Sequence, residues 1–310
     1  MDRRIIRIET TITMKTLTKK HILGYTAFSA AAGLLLAVLR TVISLGSLEP
    51  GIEMYMQGTP LPTILHIVIV LCAVAVCTAG LQKFCDNPAA DKDAPISQFT
   101  LFASMFCGFL LFAYDFFLIY DVGSANWDAI GPLIGRPQTA AVTMASAVFT
   151  LCLMLFAIPA AISFLKTARG NLKPSQPFFE TMVVVWLIMF ALHAYFDASI
   201  AFNSPIKIMR ILTMLALTLF AICEVRRSLD IVTSRLYFPI AFLAVLLGLT
   251  HGISDAVLLG TGKIVLAEGY LGIAVELSYV LYILSRLLRF CADKPAVPAS
   301  DFDDSTTGDL

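Results

Sequence analysis

Apolar residues run in long blocks along this chain, and polar residues collect in the short gaps between them. Eight blocks of about 20 residues stand out, at roughly 22–45, 61–80, 99–120, 138–165, 178–201, 206–224, 236–258 and 263–289. About 20 apolar residues in a helix rising ~1.5 Å each cross the ~30 Å hydrocarbon core of a bilayer. The pattern therefore predicts an all-α integral membrane protein with eight transmembrane helices. Because the gaps are short, the helices are expected to form four successive helical hairpins, with no sizeable soluble domain. Residues 1–20 read as a basic cytoplasmic N-terminus and 21–290 as a polytopic membrane domain. Residues 291–310, "CADKPAVPASDFDDSTTGDL", are polar, acidic and Pro-containing, and read as a disordered cytoplasmic tail.

A mean hydropathy of +0.83 with only 14% charged residues agrees with that class and leaves nothing that suggests nucleic acid as a partner. The basic start precedes an apolar run too long for a cleaved signal peptide, so the first span is expected to be an uncleaved anchor. Within that start, "MKTLTKK" would make Met14 a natural initiator.

Charge then sets an orientation. Of the 22 Lys and Arg residues, 17 fall at the side that holds both termini: in the N-terminal segment, "LQKFCDNPAADKD", "LKTARGNLK", "EVRRSLDIVTSR" and around "SRLLRFCADK". By the positive-inside bias both termini are expected in the cytoplasm, with the protein in the plasma (inner) membrane. The cysteines fall in spans or on that same side, so structural disulfides are not expected.

The candidate chemistry lies at the other side. "HAYFD" places His193 and Asp197 one helical turn apart, and "HGISD" repeats the spacing with His251 and Asp255. Arg40, Asp115, His193 and His251 each sit near the outer end of an outgoing span, separated by 75, 78 and 58 residues, which suggests a parallel internal repeat. His66, Arg210 and Glu276 enter from the returning spans. The inner half is expected to be dry apart from Glu180 and Glu224 at its edge, with "EVRR" anchored at the headgroups.

An ionisable group in hydrocarbon is costly and pairs or faces water. One explanation is a structural ion-pair network, with Arg210 and Asp197 as a candidate pair. Another is a binding site for a small polar solute, built from Arg40, His66, Asp115, His193, Tyr195, Asp197, Arg210, His251, Asp255 and Glu276. A third is catalysis: the His and Asp set resembles that of seven-span zinc hydrolases of the adiponectin-receptor and ceramidase kind, which place such residues on several spans near one face. It departs from them in lacking paired His ligands on one late helix, since His251 is followed by Asp255. No cofactor is expected, and zinc enters only with this third explanation, since imidazole and carboxylate suit it. "LLGTGK" lacks the first Gly and the final Ser or Thr of a phosphate loop and reads as a turn. The expected role is binding, sensing or moving a small polar solute through an outward-facing polar cavity. Membrane lipids and that solute are the partners. The alternatives are an intramembrane metal-dependent hydrolase and an accessory subunit.

Overall fold

A computed structural model describes residues 2–49, 54–83, 97–123, 144–168, 176–196, 201, 203–229, 236–266 and 269–291, with side chains of α1 described from residue 19 onward. Eight helices follow in order: α1 Asp2–Ser47, α2 Leu61–Lys83, α3 Gln98–Gly123, α4 Met144–Ala168, α5 Gln176–Phe196, α6 Pro205–Ser228, α7 Tyr237–Gly260 and α8 Gly269–Cys291. All eight carry a stretch long and apolar enough to cross a membrane. Among the described residues there is no strand, only an isolated bridge between Leu48 and Tyr55.

The helix ends follow local chemistry. Ser204 caps α6, its hydroxyl accepting from the Ile206 amide, and Pro205 opens the helix where no donor is needed. Ser97 receives the Thr100 amide at the start of α3. At the end of α7 the "LLGTGK" segment is the turn it was expected to be. Gly262 takes φ +69°, its amide reaches Leu259 O, and the Lys263 amide reaches Leu258 O. That is the paired bonding of a Schellman end, in which the left-handed position favours glycine. Inside the helices, hydroxyls close back on the preceding turn, as Thr218 does on Met214 O and Thr250 on Leu246 O. These hydroxyl hydrogens are then not left facing hydrocarbon.

Two boundaries differ from expectation. α1 extends back to Asp2, so the basic N-terminal segment continues the helix. α8 begins at Gly269 rather than 263, although residues 264–266 are apolar. Ile264 and Leu266 are buried in a small apolar cluster with Leu48, Ile206 and Leu258, which holds them out of the helix. The expected acidic tail lies outside the described residues.

Packing closes six of the helices into a ring. α3 packs on α4, α4 on α5, α5 on α6, α6 on α7, α7 on α8, and α8 back on α3. α1 and α2 pack on each other and against α7, with α1 also reaching α8. α7 is the hub: 72% of its most apolar stretch is buried, against 22% for α2. Glycines let it be approached on both sides. A Cβ on Gly33 would lie 3.1 Å from Leu246 O of α7, and one on Gly248 would lie 2.3 Å from Val280 Cγ2 of α8. The small-residue run at 29–33 thus allows the close approach its composition suggests; the side chains of 145–147, the second such run, lie outside the described residues. Cys291 Sγ, at the end of α8, lies 3.8 Å from Lys19 O, so α1 enters the bundle at the end where α8 leaves it. That end is called the termini end below, and the opposite one the far end.

Candidate functional site

Polar groups gather at two levels of the bundle. At the far end, Arg40 of α1 pairs with Asp255 of α7, Nη1 to Oδ1 at 2.9 Å, and donates to Ser254 Oγ at 2.6 Å. His251, one turn back on α7, faces Asp255 Oδ2 with Nε2 at 3.3 Å and Glu276 Oε1 of α8 with Nδ1 at 3.6 Å. All four side chains are buried, so the chain Arg40–Asp255–His251–Glu276 leads from α1 through α7 to the ring interior.

The structure therefore brings together four of the residues singled out in the sequence. Asp115, His193 and Arg210 are buried on the ring helices α3, α5 and α6. Each lies one turn farther out than a residue that faces the ring axis: Asp115 after Leu111, His193 after Phe190, Arg210 before Met214. The Arg210 guanidinium also stands over the Phe190 ring at 5.6 Å. Asp197, its expected partner, lies outside the described residues. Two of the residues singled out in the sequence lie apart from these. Tyr195 is exposed, with its ring edge-on to Phe196, because two residues carry it ~200° around the helix from His193. His66 belongs to α2, outside the ring, where its ring meets Tyr55 edge-on at 5.9 Å.

Within the ring, a narrow gap of about 10 Å³ lies below these groups, walled by Trp186, Phe190, Leu111, Met214 and Tyr279, with Glu276 at its edge. A second gap of about 20 Å³, nearer the termini end, shares Phe164, Val183 and Tyr279 with the first. The two therefore adjoin along one axis. Aromatic rings form the belt between them. Trp186 stacks on Phe190 at 5.0 Å, and Phe164 stands edge-on to Tyr279 and Tyr282 at 5.7 and 5.2 Å.

At the termini end the expectation of a dry inner half is corrected. Glu224 of α6 is buried and accepts from the Tyr237 hydroxyl of α7, from Arg227 Nη2 at 2.8 Å and from the Tyr282 hydroxyl of α8 at 3.4 Å. Arg286 of α8, 2% exposed, pairs with the same carboxylate at 3.2 Å. Beside it, Gln176 Nε2 donates to Glu180 Oε1 at 3.2 Å and to Thr167 Oγ1 at 3.0 Å. Of "EVRR", only Arg226 is exposed in the way a headgroup anchor requires. Counting basic residues by their nearness to a span end assigned Arg286 to the surface, whereas the turn of α8 carries it inward. The readable signal was the stripe Glu276, Tyr279, Tyr282 and Arg286, spaced at three and four residues along one helix face.

Among the described residues, no group of three His, Cys, Asp or Glu side chains is placed to hold a metal ion. Comparison of the chain with protein-family models, with curated proteins and with solved structures finds no match.

Proposed function

We propose that this is a multi-pass membrane protein that binds and moves a small polar solute along the axis of the α3–α8 ring. One observation carries the reading: ionisable groups stand at both ends of adjoining gaps, with an aromatic belt between them. A protein that only had to pack in lipid would fill that axis with aliphatic side chains, since each buried polar group needs a partner. In this reading the outward-facing part of the path is the level of Asp115, His193, Arg210 and Glu276, and the helices pair as four hairpins. The test is a melting screen of the purified protein against amino acids, amines, organic acids and sugars. A bound solute raises the melting temperature by mass action. At least one solute is expected to do so, and Glu276→Gln is expected to abolish the shift. A protein that answers to no solute, or a shift that survives in E276Q, overturns the reading.

The orientation is proposed with it: both termini cytoplasmic, in the plasma or inner membrane. In a background freed of the seven native cysteines, cysteines at Gly58 and Asn126 are expected to react with an impermeant thiol reagent on intact cells. One at Ser228 is expected to react only after permeabilisation. The reverse pattern inverts the assignment of inner and outer ends.

A second reading has its own support. The pairing of Arg40 with Asp255 joins α1 to α7 whether or not a solute passes, as an accessory subunit held together by buried charge would require.

A further inference from the structure

We infer that His251 and Glu276, with Arg40 and Asp255 beside them, form a buried site for one exchangeable proton. The inference goes beyond the solute reading and stands without it.

Charge selects the ligand. All four side chains are buried. Arg40 and Asp255 meet at 2.9 Å and cancel each other's charge. His251 and Glu276 are what remains of the chain of four. A neutral ring beside an ionised Glu276 would leave one net negative charge buried among them, which is costly. One proton cancels it, whether it rests on the ring or on the carboxyl group. The ring nitrogens add a second reason. Nε2 faces Asp255 Oδ2 at 3.3 Å, and Nδ1 faces Glu276 Oε1 at 3.6 Å. A neutral imidazole carries one N–H and one lone pair. Whichever nitrogen holds the lone pair, it then stands against a carboxylate oxygen. A proton on that nitrogen, or on the oxygen of Glu276, relieves the conflict.

Room favours a proton over a larger cation. The gap that Glu276 borders holds about 10 Å³, the lower limit for a single water. Among the described residues no three His, Cys, Asp or Glu side chains are placed to hold a metal ion. A proton needs no space of its own. Glu276 stands at the edge of the ring axis, so gain or loss of that proton changes the charge presented there.

The other charged neighbours come from α2 and α6. His66 of α2 is within electrostatic reach of Arg40. On α6, Arg210 and Lys207 are buried one and two turns toward the far end from Met214, which borders the same gap as Glu276. All three remain in the variants below, so their own titration cancels in the comparison.

The test is chemical unfolding of the purified full-length chain in detergent between about pH 7.5 and 9, for the wild type and for Glu276→Gln. In that window the unfolded His and Glu side chains hold almost no proton, whereas the folded site holds one. The folded state then binds more protons than the unfolded one, so stability falls as pH rises. The folding equilibrium constant of the wild type is expected to fall up to about tenfold more per pH unit than that of E276Q, the slope of one bound proton. Counted directly, unfolding near pH 8 in weakly buffered solution is expected to release about one proton per chain more from the wild type than from E276Q. Should E276Q not fold, H251Q/E276Q, which removes the pair together, takes its place. If Glu276 is instead neutralised by Arg210, slope and count are the same in wild type and variant, and that result overturns the inference. A steeper fall in the variant overturns it too. A proton difference with no solute raising the melting temperature leaves the site and removes the solute reading. A solute response with equal proton counts does the reverse.

Discussion

Glu224→Gln is expected to destabilise the protein by about 3–5 kcal/mol, the cost of stranding buried charge when one partner of a pair is removed. Glu224 receives Arg227 from its own helix, Tyr237 from α7, and Tyr282 and Arg286 from α8. One carboxylate thus ties together three consecutive helices. Its amide replacement keeps the shape and one acceptor oxygen. It leaves Arg286, at 2% exposure, without its counter-charge. The effect should be reversed in large part by adding Arg286→Met, because a buried pair exchanged for apolar side chains is often neutral or stabilising. Chemical unfolding of E224Q, R286M and the double variant in detergent measures this. Wild-type stability in E224Q, or strict additivity in the double variant, would show that the carboxylate is not the knot described.

Arg40→Met is expected to cost a similar amount, about 3–5 kcal/mol, at the far end. It removes the cation from Asp255, which is fully buried, and a donor from Ser254. His251 would then stand between two carboxylates with no arginine from α1. Adding Asp255→Leu should recover most of the loss. The same pair of variants separates the two functional readings. If the far-end charges serve only to bind α1 to α7, the double variant regains stability and any solute response is intact. If Arg40 and Asp255 set the charge of His251 and Glu276 for a solute, stability returns without the response.

Where the sequence was read correctly, one local property decided the outcome. Runs of about 20 apolar residues specify a helix wherever the surroundings are apolar, because only a helix satisfies every backbone group by itself. The buried state of Arg40, Asp115, His193, Arg210 and His251 followed from the same logic: an ionisable group inside such a run must turn toward protein. Partnership was harder. His251 and Asp255 do share a helix face as their four-residue spacing requires, yet Asp255 also pairs with Arg40, 215 positions away, and no local pattern announces that. The termini-end network was missed for a related reason. Arg286 and Glu224 lie near span ends, where a headgroup-facing charge and an inward-facing one look alike in a hydropathy profile. Only the helical phase of Tyr279, Tyr282 and Arg286 tells them apart. Ile264 and Leu266 show the converse. Apolar residues extended the predicted eighth helix, but they were apolar in order to pack against Leu48 and Leu258 in a connection.

The order in which the chain is made gives the ring a consequence for its birth. α1 and α2 leave the ribosome first, yet apart from each other the helices they pack against are α7 and α8, the last two made. α3 likewise waits for α8 to complete the circle. For most of translation, Gly33 and Arg40 have no seam to close and the belt has no final stave. Contacts this distant in sequence are slow to form and leave surfaces open meanwhile. A transcript truncated anywhere before codon 269 would therefore yield not a smaller version of the protein but an opened one. Quality-control machinery would meet it as a set of helices still holding charge in search of partners.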